Sequence, residues 1–383
     1  MLLTDARVVV PTGVLEPGWV RVDGARIAEV GADTAPVSGE PLSLAGRTVV
    51  PGFVDLHVHG GGGHSMQSAD ADEVRAAAAF HLDHGTTGLL VSIVTAPLDE
   101  MVAGLDVVSR LAGAGTILGA HLEGPFLNPL RAGAHDASHL LAPDVATYER
   151  LLAASQGALR VVTVAAELPG GIQLLRRVVS GGAVAAVGHS DADHAAATAA
   201  FDAGATLVTH LFNGMRPWHH REPGLAGAAL ERSDIACELI ADGIHLHDAS
   251  ARLAFAAAPR RIALVTDATA AAGSDEGGEH RLGAAEVRVR DGAPRLGDGV
   301  TLAGSVLTMD RALARAVGEL GIPIETAVEA ASTTPARLLG IGDRVGTIEA
   351  GKQADLVVLD DDLRVEAVMS KGVWITSGRL FHI

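Results

Sequence analysis

Residues 53–94 read FVDLHVHGGGGHSMQSADADEVRAAAAFHLDHGTTGLLVSIV. The apolar run 53–58 has the length and composition of a buried strand. The Ala-rich stretch 71–85 has those of a helix that follows an Asp and closes on Gly85, and residues 87–94 read as a second strand. One such unit decides little, but it repeats. Strand-like runs recur at TILGAHL (116–122), LRVVTVA (159–165), AVAAVGH (183–189), TLVTHLF (206–212), IACELIA (235–241) and RIALVTD (261–267). Helical stretches separate most of them, many opening on Asp or Pro and closing on Gly. Eight strand-like runs alternating with helices predict an α/β chain, a (β/α)8 TIM-like barrel. A doubly wound open sheet is the alternative.

The two ends of the chain differ from this middle. Residues 1–50 alternate short β-type runs with turns such as Asp23-Gly24, and so does the segment 344–383. The expected organisation is one small β-sandwich domain made from 1–50 plus 344–383, around a catalytic barrel over 51–343; two unrelated β appendages are the alternative. Residues 280–304 read as a β-hairpin excursion after the last barrel strand. Two closing helices follow, around LTMDRALARAVGEL (307–320) and PIETAVEAASTTPARLLG (323–340).

Composition limits the functions. The 383 residues carry Lys+Arg 29 against Asp+Glu 46, a net charge of -17. Such acidity argues against a nucleic-acid or anionic-membrane partner, and an anionic substrate then needs a locally positive pocket. No stretch has the length of a membrane span, and the start lacks the pattern of a signal peptide. The single cysteine, Cys237, fits a reducing, cytoplasmic setting.

The unusual polar residues fall at the carboxyl ends of the expected strands, the barrel face where active sites are built. His57 and His59 end the first, Glu123 follows the third, His189 the fifth, and His210 ends the sixth. Asp242 and His245 follow the seventh, and Asp267 ends the eighth. Period two puts both imidazoles of His57-x-His59 on one face of the strand. Taken singly, each of these residues is readily a satisfied loop or core group; together the histidines and Glu123 point to a divalent metal. Imidazole and carboxylate donors suit zinc, iron or manganese, in one or two sites. The only lysines, Lys352 and Lys371, lie in the terminal segment, so if two ions bind, the bridge falls to Glu123. Asp267 is the candidate general base beside a metal, with a further ligand or a helix cap as its other readings.

PGFVDLHVHG (51–60), GTIEAGKQADLVVLD (346–360) and the barrel between them resemble the amidohydrolase superfamily. Within it, HLEGPFLN (121–128), VGHSDA (187–192), THLFNGM (209–215), REPGL (221–225), ADGIH (241–245), LVTDAT (264–269) and LAGSVLTMD (302–310) look like the N-acetylglucosamine-6-phosphate deacetylase family, over nearly the whole chain. The resemblance implies metal binding by Glu123, His189 and His210, and a retained His57/His59 pair leans toward a second ion. It implies Asp267 as base and then acid, with activated water attacking the acetamide of N-acetyl-D-glucosamine 6-phosphate to yield acetate and D-glucosamine 6-phosphate. Asn213 and Gly214 would meet the sugar phosphate. Arg221 would clamp the phosphate, unless it is a surface partner of Glu222, and His245 would add a second contact. Leu302, Ala303 and Gly304 would line the sugar, and Ala134 with His135 would cover the acetyl end, His135 polarising its carbonyl. A homodimer is implied, in which part of the phosphate site can come from the neighbouring subunit. Where the family commonly has Asn-Ala-Met, this chain has Asn213-Gly214-Met215. The galactosamine epimer or a cyclic amide as substrate, and a catalytically silent assembly role, are the alternatives.

Overall fold

A computed structural model of the chain describes residues 1–36, 41–113 and 115–376. These divide into two compact units, one of Leu56–Phe80 with Leu89–Leu307, the other of Met1–Asp55, His81–Gly88 and the described residues from Thr308 onward.

The barrel sheet has eight strands: β1 (Phe53–Val58), β2 (Thr86–Val94), β3 (Ile117–Glu123), β4 (Leu159–Val164), β5 (Val184–Val187), β6 (Leu207–Val208), β7 (Ala236–Ile240) and β8 (Ile262–Val265). They follow one another around the sheet in chain order, with parallel pairing from β2 through β8. An open doubly wound sheet would reverse that order midway; this one does not. The residues just past β8 close the circle. Asp267 N–H donates to His57 O at 2.9 Å and His59 N–H to Ala268 O at 2.7 Å, with a parallel bridge between Val58 and Ala268.

Every residue of β2 is buried, which is why these strands read as unbroken apolar runs rather than alternating ones. The intervening helices bury one stripe each. In Gly171–Ser180 the buried residues are Gly171, Leu174, Leu175 and Val178, the spacing of one helical face. The expected start signals operate: Asp144 accepts from Thr147 N at 2.7 Å and Asp193 from Ala196 N at 2.8 Å, each capping a helix that begins one residue later. After β8 comes a three-stranded antiparallel excursion, Glu279–Leu282, Ala285–Arg290 and Ala293–Leu296.

The termini form one strand-rich unit, so the reading as two appendages fails. A single sheet runs in the order Val373–Thr376, Val365–Ser370, Leu356–Leu359, Thr48–Pro51, Leu2–Val10, Gly13–Asp23, Arg26–Ala32, with Leu42–Ser43 paired to Leu2–Val10. The two ends of the chain meet where Val49 opposes Val358. Val8, Val20, Ile27, Val49, Leu356, Val358 and Met369 share one buried cluster, so in place of the expected sandwich there is one sheet with a common core. The closing helices, Met309–Gly318 and the run Ile324–Leu338 with a π-helical turn at Glu329–Thr333, group with this unit and not with the barrel. Their packing gives the reason: Ile324–Val328 touches Leu2–Val10, and Ser332 Oγ donates to Pro51 O at 3.4 Å. Residues 377–383 of the expected terminal segment lie outside the described residues.

Cys237 is fully buried on β7, and that burial pushes its thiol up to about 12. The folded protein is therefore expected to leave a thiol reagent such as dithionitrobenzoate unconsumed, and to consume one equivalent after denaturation. Rapid native labelling would mean that β7 opens readily.

Candidate active site

Glu123 is the last residue of β3, buried, with its two carboxylate oxygens aimed at different pairs of histidines. Its Oε2 lies 3.2 Å from His59 Nε2 and 3.4 Å from His57 Nε2. Its Oε1 lies 3.1 Å from His189 Nε2 and 3.0 Å from His210 Nε2. Within each pair the two Nε2 atoms are 3.0 Å apart. The donor atoms of His57, His59 and Glu123 form one compact metal-ligand group, and those of Glu123, His189 and His210 a second.

The opposite ring nitrogens show what these contacts require. His57 Nδ1 faces Glu238 Oε2 at 3.1 Å and His59 Nδ1 faces Ser92 O at 3.3 Å. His189 Nδ1 faces Arg131 O at 2.7 Å, and His210 Nδ1 faces Asn213 O at 3.1 Å. A carbonyl or carboxylate oxygen only accepts, so each Nδ1 carries the proton and each neutral ring turns its Nε2 lone pair toward Glu123. Lone pairs brought this close repel unless a cation lies among them. The donor set fits a divalent ion held by Glu123, His189 and His210, with His57 and His59 able to hold another. Without metal, protons take the cation's place. Burial opposes charging His57, but Glu123, Asp267 and Glu238 raise its pKa well above the ordinary imidazole value. His59 is raised likewise by Asp267 and Glu123 against burial.

Asp267 Oδ1 lies 3.1 Å from His59 Nε2 and 3.5 Å from His57 Nε2. Against burial, those two rings hold its carboxyl well below the usual range, so it is an anion, and it is also within ligand reach. His135 has the opposite character. Its Nδ1 accepts from Thr95 N at 3.4 Å and its Nε2 lies 3.4 Å from Glu123 Oε2. Burial first, then His189, lowers its pKa to about 4. It therefore stays neutral and points an Nε2–H donor at the centre.

A cavity of about 330 Å³ opens over this cluster, lined by His59, Glu123, Ala134, His135, His189, His210, Asn213, Gly214, His245, Asp267, Leu302 and Gly304, with Leu282, Val300 and Thr301 from the excursion. His245 stands on its wall beside a carboxylate. Asp242 Oδ2 lies 2.6 Å from His245 Nδ1 and, against burial, raises the pKa of His245. Three expected residues do not line the cavity. His57 is fully buried behind His59. Ala303 is buried, its N–H spent on Pro294 O at 2.9 Å. Arg221 is exposed, its guanidinium 2.8 Å from His220 Nε2 rather than on Glu222. Arg216, in the same loop, binds Asp191 together with Arg131.

The backbone around the centre is strained. His189, His210 and Asp267 have φ of 45°, 30° and 48°, the left-handed region that costs non-glycine residues about 1–3 kcal/mol each. Hydrogen bonds hold them there: His210 N–H donates to Glu238 Oε2 at 3.1 Å, and Asp267 O accepts from Ser305 N at 2.7 Å. Two glycines allow close approach. A Cβ on Gly304 would lie 2.6 Å from Asp267 O, and one on Gly214 would lie 3.0 Å from His189 Nδ1. Gly214 has a φ of 58°, so glycine suits this left-handed turn beside both rings.

Sequence reasoning missed the polar layer beneath the centre. His121 is fully buried, with Ser92 Oγ and Thr163 Oγ1 each 2.9 Å from its ring nitrogens. Glu238 supports His57 and His210. The available signals were the alternation of His121 with Glu123 and a lone carboxylate within an apolar strand.

Comparisons with known proteins agree with this geometry. The profile of the amidohydrolase family matches residues 48–375. N-acetylglucosamine-6-phosphate deacetylase of Bos taurus is 38% identical, with 93% of this chain and 91% of that protein covered. N-acetylgalactosamine-6-phosphate deacetylase of Escherichia coli O157:H7 is 37% identical, with 93% and 96% covered. The solved N-acetyl-D-glucosamine-6-phosphate deacetylase of Mycobacterium smegmatis superposes with a TM-score of 0.93 at 42% identity, over 98% of this chain and 100% of that one. An aspartate-to-alanine mutant of that enzyme, in complex with N-acetyl-D-glucosamine-6-phosphate, gives 0.94 at 42% identity, over 98% and 99%. The chain belongs to the amidohydrolase family. It is an enzyme of the N-acetylglucosamine-6-phosphate deacetylase branch of that family.

Because the pKa values of His57 and His59 lie above the ordinary imidazole value without metal, metal uptake should release protons, and apparent affinity should rise with pH. Zinc titration of chelator-stripped protein in two buffers of different ionisation enthalpy should show proton release. Uptake without release would contradict this charge balance.

Proposed function

We propose that this chain hydrolyses the acetamide of N-acetyl-D-glucosamine 6-phosphate to acetate and D-glucosamine 6-phosphate, as a cytoplasmic homodimer using zinc, iron or manganese. One observation carries the reading. A carboxylate anion, a neutral N–H donor, a metal-fitted cluster and a histidine whose pKa a neighbouring aspartate raises share one cavity. A divalent ion, when bound, supplies a Lewis acid for the amide carbonyl and lowers the pKa of water.

The residues of the chain do the rest. Glu123, His189 and His210 would hold the ion, with His57 and His59 available for another. His135 donates its Nε2–H to the oxygen of the acetyl group as negative charge develops there. Asp267 takes the proton of the attacking water, then returns it to the sugar nitrogen as the C–N bond breaks. Ala134 covers the acetyl end, Leu302 and Gly304 border the sugar, and Ala303 supports them from behind. Asn213, Gly214 and His245 face the phosphate, anchoring the amide against the centre at a distance from the reacting bond. Arg221, outside its own cavity, is assigned to the phosphate of the neighbouring subunit.

A second reading has one specific support. The Escherichia coli relative named for the galactosamine epimer matches about as well as the bovine one named for the glucosamine epimer. Both phosphorylated epimers therefore belong in the assay beside unphosphorylated N-acetylglucosamine. Acetate release should need metal and should strongly favour a phosphorylated sugar. Equal turnover of the free sugar would remove the phosphate from the reading.

Replacing Asp267→Asn should cut kcat by about 100-fold or more while metal stays bound; retained turnover would exclude it as the base. Arg221→Ala should lower kcat/KM on phosphorylated sugar alone. Mixing that variant with Asp267→Asn under subunit exchange should restore activity, because one mixed site carries both native groups. Failure to complement in proven mixed dimers would return Arg221 to the surface.

A further inference from the structure

Glu238 lies inside β7 with its side chain fully buried, one carboxylate in an otherwise apolar strand. A single oxygen serves both halves of the metal cluster. Oε2 is 3.1 Å from Nδ1 of the His57 ring and 3.1 Å from the main-chain nitrogen of His210. The other oxygen, Oε1, has no hydrogen-bond partner. An apolar residue would fill this place without burying a charge, which is costly unless the charge has work to do.

We propose that Glu238 is a positioning residue that couples the two half-sites. Through Nδ1–H it fixes His57 in the form that turns the Nε2 lone pair toward Glu123, and as an anion it makes that nitrogen a stronger donor to a metal. Through the His210 N–H it holds that residue at its φ of 30°, the conformation from which His210 Nε2 reaches Glu123 Oε1. His57 is two residues from His59 on the first strand, and His210 follows the sixth. One side chain of the seventh strand thus reaches ligands that belong to two different strands. The inference rests on the metal reading of the site, not on the substrate.

The test is zinc binding by chelator-stripped protein, measured in competition with a chromophoric chelator. Glu238→Gln keeps an oxygen able to accept both N–H groups but loses the charge. It should weaken by roughly 10- to 100-fold a zinc-binding step that His57→Asn also abolishes, while the melting temperature of the metal-free protein stays at the wild-type value. In a His57→Asn background the same Gln substitution should leave the remaining zinc affinity unchanged. Glu238→Ala removes both contacts and should also weaken the step that His210→Asn abolishes; if the Ala variant does not fold, the Gln pair carries the test alone. Wild-type affinity in Glu238→Gln, or an equal loss with and without His57, overturns the proposal. A wild type that takes up no zinc, iron or manganese overturns it together with the metal reading. Zinc uptake without acetate release leaves it standing and removes only the proposed substrate.

Discussion

Everything in the catalytic half of this molecule answers to one buried carboxylate. Glu123 offers one oxygen to His57 and His59 and the other to His189 and His210. With every one of those rings donating its Nδ1–H elsewhere, the middle of the cluster is a concentration of lone pairs and negative charge. Such a concentration is unstable in a barrel interior without positive charge of its own. The surroundings answer that constraint: carbonyls and carboxylates fix the tautomers, and backbone is held in left-handed conformations where rings after the fifth and sixth strands converge on Glu123. The lining glycines let chain pass close to the ring edges and to Asp267.

The same cavity keeps its other titratable groups in unlike states. Asp267 is held as an anion, His135 as a neutral donor and His245 toward the cation. Neighbours a few ångströms apart set these states: imidazoles beside Asp267, burial around His135, and Asp242 against His245. Groups with divergent protonation in one cleft are what acid–base chemistry on an amide needs. On a chain of net charge -17, His245 is the group on the cavity wall whose pKa a neighbouring carboxylate raises.

The barrel was legible in the chain because its strands are buried on both faces and its helices carry clear caps, so the alternation survives in plain composition. Glu123, His189, His210 and Asp267 were legible for a related reason: polar residues at the carboxyl ends of the third, fifth, sixth and eighth strands point to one face. Arg221 shows where that logic stops. A loop residue's direction depends on tertiary contacts, and here its guanidinium meets His220 outside the cavity. His121 and Glu238 were hidden inside apolar runs, where one polar letter is outweighed by its neighbours. The terminal sheet was foreseen from both ends, but the allegiance of the closing helices was not, because their apolar stripe does not say which surface it will cover.

The closure of the barrel has a consequence for how such a centre comes into being. His57 and Asp267 are tied by a main-chain hydrogen bond between the first strand and the residues just after the last. Their side chains acquire their mutual distances only when that seam is made. Of the two ligand groups, the one of His57, His59 and Glu123 draws on the strand that this seam holds, whereas Glu123, His189 and His210 come from the third, fifth and sixth strands, away from it. The half of the centre beside Asp267 is therefore the half that depends on the completed circle.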